Sequence, residues 1–336
     1  MNTLPITLAA VDSFLPRTES TIDEVLDDHG LSAAQIRVFR RVHGLDKLRL
    51  DPGLGLFDLL LPAARSVLAG VAPERVRFII YTHALQQVTP VGIDAAQVLA
   101  SALGLPHADA FALTQHNCAQ ALTGMDLAGE LLRAEGAEGD CALIISGDRV
   151  FTPLIQLDYA LGQLLADGAA ACLVSLGGPG DVIRSHAARS DDESSGAPAR
   201  QAGVVGPELL AETMCRAVAD AGLDLADIDL VIPHNVNMTF WRQTAKVLGI
   251  PREKIFLENI ARYSHCFSAD PLINYRTLAD AGRLVAGGNY LMAAVGVGGS
   301  YGATVLSRPS SHPQRRSIQP PPRPAPQPRP DSAGDN

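Results

Sequence analysis

The sequence GDCALIISGDR at residues 139–149, continued by LLADGAAACLVS at residues 164–175, follows the same plan as GGNYLMAAVGVGGSYGATVLS at residues 287–307. In both places a glycine precedes an apolar run, and a glycine-containing turn then leads to a second run rich in small residues. Short apolar runs bounded by glycine are typical of buried strands. The repeated plan predicts two similar halves packed together, although strand pairs rich in small residues also recur by chance.

Strands alternate with helices along most of the chain. Apolar runs predict strands at residues 77–82, 110–113, 141–146, 170–175, 230–233, 290–295 and 303–306. Helical spacing of apolar residues predicts helices at residues 90–103, 119–134, 209–221, 238–248 and 271–286. This alternation indicates an α/β fold whose sheet is largely buried.

Two segments have the composition of loops. Residues 177–206 are dense in Gly, Ser, Ala and Asp, which predicts a flexible connecting loop. Residues 309–336 are rich in proline and lack apolar periodicity, which predicts a disordered tail. We therefore expect an N-terminal half over residues 1–176 and a C-terminal half over residues 207–308.

The bulk composition excludes several classes of protein. The chain has 336 residues, of which 47% are hydrophobic, and a formal net charge of −9. An acidic balance argues against general binding of nucleic acid. A membrane-spanning helix needs about 18 consecutive apolar residues, and the sequence has no such run. The first residues lack the basic start and cleavage site of a signal peptide, so we expect a cytoplasmic protein.

The cysteines do not suggest a disulfide framework or a zinc site. There are five of them, widely spaced, with no CxxC pair. No HxH or HxxxH pair offers a histidine face for a metal ion. We expect no bound metal and no tightly bound cofactor.

One cysteine lies in a setting suited to chemistry. Cys118 lies in TQHNCAQALTG, residues 114–124, between a predicted strand and a predicted helix. A helix N-terminus favours thiolate over thiol and presents free backbone N–H groups. The same position also suits an inert cysteine that serves only as a small apolar residue.

Polar residues follow the later predicted elements. His234 and Asn237 come directly after the strand end in LVIPHNVN. His265 lies in the polar stretch ARYSHCFSADP, in which Asp270 follows at a distance that permits it to orient a histidine. The glycine loop VGVGGSYGA, residues 295–303, can bring bare backbone close to a substrate.

These segments together resemble the β-ketoacyl-acyl-carrier-protein synthase III family of the thiolase fold, over residues 76–308. The family's AxCxG/A turn corresponds to HNCAQA at residues 116–121, and its PHQAN motif to PHNVN at residues 233–237. Its GDGAGA segment corresponds to ADGAAA at residues 166–171, and its GFGAGxTWGA segment to AVGVGGSYGA at residues 294–303. The order and the spacing of the four matches both agree with the family.

The resemblance implies a thiolase-like α/β fold, in which two similar α/β halves form a five-layered αβαβα body. It also implies a homodimer, an acyl carrier protein as partner, and a phosphopantetheine thioester as substrate carrier. The family's TRTGI motif is reduced to RVHGL at residues 41–45, and the tryptophan and arginine that hold the coenzyme A adenine have no clear match. We therefore expect a carrier-protein arm to be at least as good a donor as coenzyme A.

The resemblance further implies a catalytic set of Cys118, His234 and His265. The family's third catalytic residue is normally an asparagine in a YGNT loop, and YSHC at residues 263–266 places His265 there. Cys118 would attack an acyl thioester, and its own N–H would hold the oxyanion together with one N–H of the loop formed by Gly296, Val297 and Gly298. Asn237 would line the same pocket.

The acceptor of the acyl group stays open between alternatives. In one, a malonyl-type thioester loses carbon dioxide and attacks the acyl-enzyme, while His234 and His265 hydrogen-bond its carbonyl. In the other, a histidine oriented by Asp270 acts as base on a small-molecule hydroxyl or amine. A third alternative is a non-catalytic partner subunit of a heterodimeric synthase. We favour the carbon–carbon condensation, in a specialised fatty acid, polyketide or secondary metabolite pathway.

Overall fold

A computed structural model describes residues 4–159, 161–191 and 206–310. The strands are β1 Ile6–Phe14, β2 Glu19–Thr21, β3 Lys47–Arg49, β4 Val76–Thr82, β5 Asp109–Leu113, β6 Cys141–Asp148, β7 Leu157–Asp158, β8 Gln163–Leu164, β9 Gly168–Leu176, β10 Asp181–Ser190, β11 Leu230–Pro233, β12 Asn289–Gly296 and β13 Ser300–Ser307. The α-helices are α1 Ile22–Asp28, α2 Ala33–Val38, α3 Leu56–Val67, α4 Ala95–Ala102, α5 Gln120–Glu135, α6 Pro153–Gln156, α7 Pro207–Asp220, α8 Met238–Leu248, α9 Glu258–Tyr263 and α10 Asp270–Asp280.

The strands of the two halves are ordered in the same way. In the N-terminal half the order is β5-β4-β6-β9-β1, with β9 antiparallel to both of its neighbours and β4 parallel to both β5 and β6. In the C-terminal half the order is β11-β12-β13-β10, with β13 antiparallel to its neighbours and β11 parallel to β12. A parallel bridge pairs Ile255 with Val231 of β11. Ile255 thus takes the position that corresponds to the outermost strand β5 of the N-terminal half. The repeated order confirms the predicted duplication.

The helices lie in three layers around the two halves of the sheet. Helix α3 contacts β1, β6 and β9 of the first half, and α7 contacts β10, β12 and β13 of the second. The central helices α5 and α10 each contact strands of both halves. The first strands of the halves, β1 and β10, pair antiparallel and join the two sheets. This arrangement is the predicted five-layered thiolase-like body, with two helices at its centre.

The two central helices begin in the same way. A single 3₁₀ turn, Asn117–Ala119, precedes α5, and the turn Phe267–Ala269 precedes α10. The first residue of each turn has a left-handed backbone, with φ of 50° for Asn117 and 53° for Phe267. The two turns contact each other. The duplication therefore brings the starts of both central helices to one place at the middle of the molecule.

The predicted connecting loop at residues 177–206 is wrong in part. Residues 181–190 of that segment form β10, which pairs along its length with β13. Its small and polar residues give little apolar signal, but Ala187 and Asp181 are buried. The C-terminal half therefore begins with β10 and not at residue 207. The remainder of the predicted loop, residues 192–205, and nearly all of the predicted tail lie outside the described residues.

Two predicted helices also differ in their boundaries from the observed ones. The helix predicted at residues 90–103 begins only at Ala95, because the Asp94 side chain accepts the N–H groups of Ala96 and Gln97 and caps it. The helix predicted at residues 271–286 ends at Asp280. Within the described parts of the chain, no helix combines the length and the apolar character needed to cross a membrane.

Candidate active site

Cys118 lies in the turn between β5 and α5. The turn begins with Asn117 in the left-handed region, a conformation that asparagine adopts more readily than most residues. The Cys118 side chain is buried, with 5% of its surface exposed. The predicted position at a helix start is therefore correct to within one 3₁₀ turn, and the thiol is held in a fixed place.

His265 lies directly against the Cys118 thiol. Its Nε2 is 3.2 Å from Cys118 Sγ, and its Nδ1 is 2.5 Å from Asp270 Oδ2. His265 follows α9, and Asp270 is the first residue of α10, so the turn that begins α10 sets the spacing between them. The three side chains form a continuous Cys–His–Asp chain of hydrogen bonds in the buried interior.

Asp270 is fixed from several sides. Besides His265, it accepts the backbone N–H of Asn235 at 2.6 Å, the Asn235 side-chain amide at 3.1 Å and the backbone N–H of Cys266 at 2.9 Å. All of these partners are donors, so the carboxylate acts only as an acceptor. It therefore places the His265 proton on Nδ1 and directs Nε2 to the thiol.

The two site histidines have opposite electrostatic settings. Burial alone would lower the pKa of His265, but negative charge on Cys118 and on Asp270 outweighs it and raises this pKa to about 10. Burial lowers the pKa of His234 well below its ordinary value, and the nearby charge of His265 lowers it further. His265 therefore favours the imidazolium form once Cys118 has lost its proton, while His234 stays neutral.

His234 follows the end of β11 and packs beside His265. The centroids of the two rings are 5.5 Å apart, and the Trp241 ring packs edge-on against His234 at the same centroid distance. The Trp241 indole N–H also donates to the backbone carbonyl of His234 at 2.8 Å. His234 Nδ1 is buried and has no hydrogen-bond partner among the described residues. Helix α8 thus fixes the ring by packing.

A cavity of about 210 Å³ opens onto these side chains. It is lined by His43, Cys118, Leu161, Gln163, His234, Val236, Asn237, Thr239, Phe240, Gln243, His265, Val295, Gly296 and Val297. The structure thus brings together the three residues predicted as catalytic and three of the four predicted to form the pocket. Gly298 does not line the cavity, and Asp270 lies behind His265. Asn237 uses its side chain to cap α8 and to contact the Leu161 carbonyl at 2.7 Å.

The glycine loop after β12 presses against the cysteine turn. A Cβ atom on Gly296 would lie 2.5 Å from the His116 carbonyl oxygen and 2.8 Å from Asn117 Cβ. Because Gly296 has no side chain, the backbone N–H of Val297 approaches that of Cys118. Both N–H groups donate to Asn117 Oδ1, at 3.3 Å for Val297 and 3.0 Å for Cys118. The two predicted oxyanion donors therefore converge on one point.

Asn117 and His43 contribute to this site but are not among the site residues predicted from the sequence. Asn117 adjoins the cysteine, which was a signal, but its contact with Val297 spans 180 residues and depends on the fold. His43 lines the cavity because the turn Phe39–His43 packs against α8, where Thr239 donates to the Val42 carbonyl at 2.9 Å. It lies within the RVHGL segment, whose weak match to the family motif gave it no assigned role.

The chain is similar to known proteins over most of its length. Residues 218–308 match the profile for the C-terminal part of 3-oxoacyl-[acyl-carrier-protein] synthase III. The β-ketoacyl-[acyl-carrier-protein] synthase III of Lactobacillus delbrueckii subsp. bulgaricus is 27% identical over 293 residues, which cover 79% of this chain and 88% of that protein. Over most of its length the chain is similar to β-ketoacyl synthase III-like proteins of the thiolase fold. This similarity supports an enzyme of the acyl-transferring kind.

Solved structures of the synthase III-like family show the same fold. The structure of synthase III from Pseudomonas aeruginosa has a TM-score of 0.77 at 22% identity and covers 92% of this chain and 100% of that one. The acyltransferase ChlB3 has a TM-score of 0.81, also at 22% identity, with coverage of 91% and 98%. Where the family's YGNT loop has its asparagine, this chain has His265, and His265 is the residue that contacts the cysteine.

We expect Gly296→Ala to lower the rate of acyl transfer by roughly 10²–10³-fold, the usual effect of losing one oxyanion donor. The added methyl group collides with the cysteine turn, so the loop must move and carry the Val297 N–H away from Cys118. Gly302→Ala is the matched control, since the nearest contact of a Cβ atom on Gly302 would be Ala119 Cβ at 3.4 Å, an ordinary van der Waals distance. A wild-type rate in Gly296→Ala would contradict the assignment of the Val297 N–H.

Proposed function

We propose that the enzyme transfers an acyl group from a phosphopantetheine thioester, through an acyl-Cys118 intermediate, to a malonyl-type thioester by decarboxylative condensation. The observation that supports this most is the buried Cys118–His265–Asp270 chain, with 3.2 Å and 2.5 Å between successive partners. It supplies a nucleophile, a base and an orienting carboxylate in one line, beside two converging backbone N–H donors.

The first half-reaction loads the enzyme. The thiol proton passes to Nε2 of His265, and the sulfur attacks the thioester carbonyl. The N–H groups of Cys118 and Val297 hold the negative oxygen of the tetrahedral intermediate. The intermediate collapses to acyl-Cys118 and expels the phosphopantetheine thiolate, which takes the proton from His265. Because Asp270 stabilises the imidazolium in between, it lowers the barrier for both proton transfers.

The second half-reaction uses both histidines as donors. The bond to the malonyl carboxylate breaks, carbon dioxide leaves, and the electron pair forms an enolate whose oxygen accepts N–H groups from His234 and His265. The enolate carbon attacks the acyl carbonyl and expels Cys118 as thiolate. A neutral imidazole such as His234 has one N–H to offer. His265 gave up its Nε2 proton in the first half-reaction, so it takes up a proton from solvent before it donates from Nε2, and Asp270 stabilises the resulting imidazolium. That proton returns to the Cys118 sulfur when the thiolate leaves.

One observation favours a second candidate, transfer of the acyl group to a small-molecule hydroxyl or amine. A histidine tied to a carboxylate is the usual arrangement of a general base, and His265 is tied to Asp270 in this way. The fold neighbour ChlB3 is described as an acyltransferase. In this candidate the base removes a proton from the acceptor, and no carbon dioxide forms.

Carbon dioxide release separates the two candidates. The acyl-loaded enzyme would be mixed with a malonyl thioester carrying labelled carbon in its free carboxyl group, and the released label counted. The condensation predicts one label released for each acyl group lost from Cys118. Acyl transfer to alcohols or amines without any release of label, with every malonyl thioester tested, would sink the condensation in favour of the second candidate.

An acidic acyl carrier protein is the partner that we propose for this site. Three exposed cations lie within three residues of a cavity-lining residue in the sequence and pair with no carboxylate among the described residues: Arg41, Arg242 and Lys246. Arg242 lies next to cavity-lining Gln243, and Arg41 lies two residues before cavity-lining His43. An exposed basic rim attracts an acidic partner and speeds its association.

We expect the double variant Arg41→Glu and Arg242→Glu to lower kcat/KM for a carrier-bound acyl donor by roughly tenfold or more, through loss of electrostatic attraction. The same variant should use a free acyl-pantetheine thioester at the wild-type rate. Arg133→Glu, at the opposite end of α5 from Cys118, is the control. Equal losses with both donors would show that the two arginines act on the site itself and not on the carrier.

We also propose a homodimer located in the cytoplasm. Strand β5 is an edge strand, and Val91, Phe151 and Leu154 are large apolar side chains left exposed, at 93%, 59% and 91%. Phe151 lines a second cavity of about 370 Å³ close to Cys118's neighbour Leu85. Exposed apolar groups of this size usually mark an interaction surface. Analytical ultracentrifugation that finds only a monomer at micromolar concentration would overturn the dimer.

We place the reaction in a specialised pathway and not in housekeeping fatty-acid initiation. The support is the reduced RVHGL segment and the histidine that stands in the family's asparagine position. Growth of a strain that lacks its housekeeping initiating synthase, when supplied with this chain, would overturn this placement.

A further inference from the structure

The Asn117 side chain occupies a position that the reaction needs. Its Oδ1 accepts the backbone N–H of Cys118 at 3.0 Å and that of Val297 at 3.3 Å, and it lies 3.1 Å from Cys118 Sγ. Its Nδ2 donates to the Ala84 carbonyl at 3.1 Å. Because one end faces only donors and the other faces a carbonyl, the orientation of the amide is fixed by its partners.

The two N–H groups that hold Asn117 Oδ1 are those that the proposed function assigns to the oxyanion. An amide oxygen between them lies where the thioester carbonyl oxygen has to lie, and both oxygens cannot be there at once. We infer that Asn117 is a positioning residue that fills the oxyanion hole of the resting enzyme, and that the carbonyl oxygen of the acyl thioester displaces it. This inference rests on the proposed function.

The same oxygen also bears on the state of the thiol. At 3.1 Å from Sγ it can accept the thiol hydrogen, but it places a partial negative charge beside a thiolate. Asn117 in the hole therefore competes with Nε2 of His265 for the thiol hydrogen. Once Asn117 moves away, the remaining acceptor for the thiol hydrogen is Nε2 of His265, at 3.2 Å. Entry of the thioester thus coincides with activation of the nucleophile.

The backbone at this position suits the role. Asn117 has a φ of 50°, which glycine and asparagine adopt with little strain. Its carboxamide is held by hydrogen bonds to three backbone groups and can leave by rotation of the side chain alone. Asn117→Gly therefore removes the carboxamide without straining the turn, while Asn117→Asp keeps its shape and holds the two N–H donors more strongly through its charge.

The test compares these two variants with the wild type in two reactions of Cys118. The first is acylation by a subsaturating acyl-pantetheine thioester, followed by rapid quenching and intact mass. The second is disulfide exchange with methyl methanethiosulfonate, a neutral reagent that has no carbonyl group. We expect Asn117→Gly to speed both reactions by about tenfold, the effect of removing one competing hydrogen bond, and Asn117→Asp to slow both.

The two variants are expected to change the reaction rates in opposite directions, and this distinguishes the inferred role of Asn117 from a purely structural one. If Asn117 only braces the turn, both variants slow both reactions, and that result overturns the inference. An unchanged rate in Asn117→Gly overturns it as well. A failure of the proposed function looks different: the wild type and both variants would react with the methanethiosulfonate, but none would take up the acyl group.

Discussion

Asp270→Asn should lower the rate of acyl-Cys118 formation by roughly 10²–10⁴-fold, as expected for loss of the carboxylate that sets the tautomer of a catalytic histidine. Both oxygens of Asp270 face only donors. The amide group of asparagine must therefore point its NH₂ at one of them. If the NH₂ faces His265, the ring proton moves to Nε2, and that nitrogen can no longer accept the thiol proton.

The measurement is the single-turnover rate of acylation, together with the alkylation rate of Cys118 at pH 6 to 7. Loss of Asp270 removes a charge that raises the pKa of His265, so the imidazolium that accompanies the thiolate becomes less stable and alkylation in this pH range slows. Asp181→Asn is the matched control. Asp181 is 2% exposed and accepts the Tyr275 hydroxyl at 2.6 Å, outside the cavity. Normal acylation by Asp270→Asn, with the fold intact, would remove Asp270 from the catalytic chain.

His234→Ala should separate the two half-reactions. Acylation of Cys118 continues, because His234 makes no hydrogen bond to the Cys118–His265–Asp270 chain among the described residues. Release of carbon dioxide and turnover should fall by roughly 10²–10³-fold, since one of the two donors to the enolate is lost. The acyl-enzyme therefore accumulates, and the mass of the protein during turnover reports this directly.

His186→Ala is the control for His234→Ala. His186 is a half-buried histidine, and burial lowers its pKa to about 4, so it too is neutral. It contacts the Thr304 hydroxyl at 2.9 Å and does not line the active-site cavity. Its loss should lower the melting temperature without accumulation of acyl-enzyme. If His234→Ala slows acylation as much as it slows condensation, the assignment of His234 to the condensation step alone is wrong.

The apolar strands of the fold were predictable because each one is encoded by a continuous apolar run in its own segment of the sequence. The runs that became β4, β6 and β12 are continuous and apolar, and each is buried on both faces or nearly so. Strands β1 and β10 were missed because polar or small residues interrupt their runs. They are strands because of their partners β9 and β13, which lie far away in the sequence.

Part of the site was predictable because its residues follow directly after predicted strands or polar turns. Cys118, His234 and His265 each follow a strand or a polar turn, and the family resemblance implied that they form the catalytic set. The duplicated fold brings those positions together. The contact of Asn117 with Val297 and the packing of His43 into the cavity depend on tertiary placement. No local pattern in the sequence carries that information. The strength of the Asp270 hydrogen bonds likewise depends on Asn235, from another element.

Every step proposed above requires that Cys118 carries the acyl group. This is tested most directly by the intact mass of the protein after incubation with an acyl-pantetheine thioester, for the wild type and for Cys118→Ala, followed by peptide mapping. We expect one acyl group on the wild type, located on the peptide that contains Cys118, and none on the variant. A wild type that gains no acyl mass, or a Cys118→Ala protein that gains as much, would contradict it.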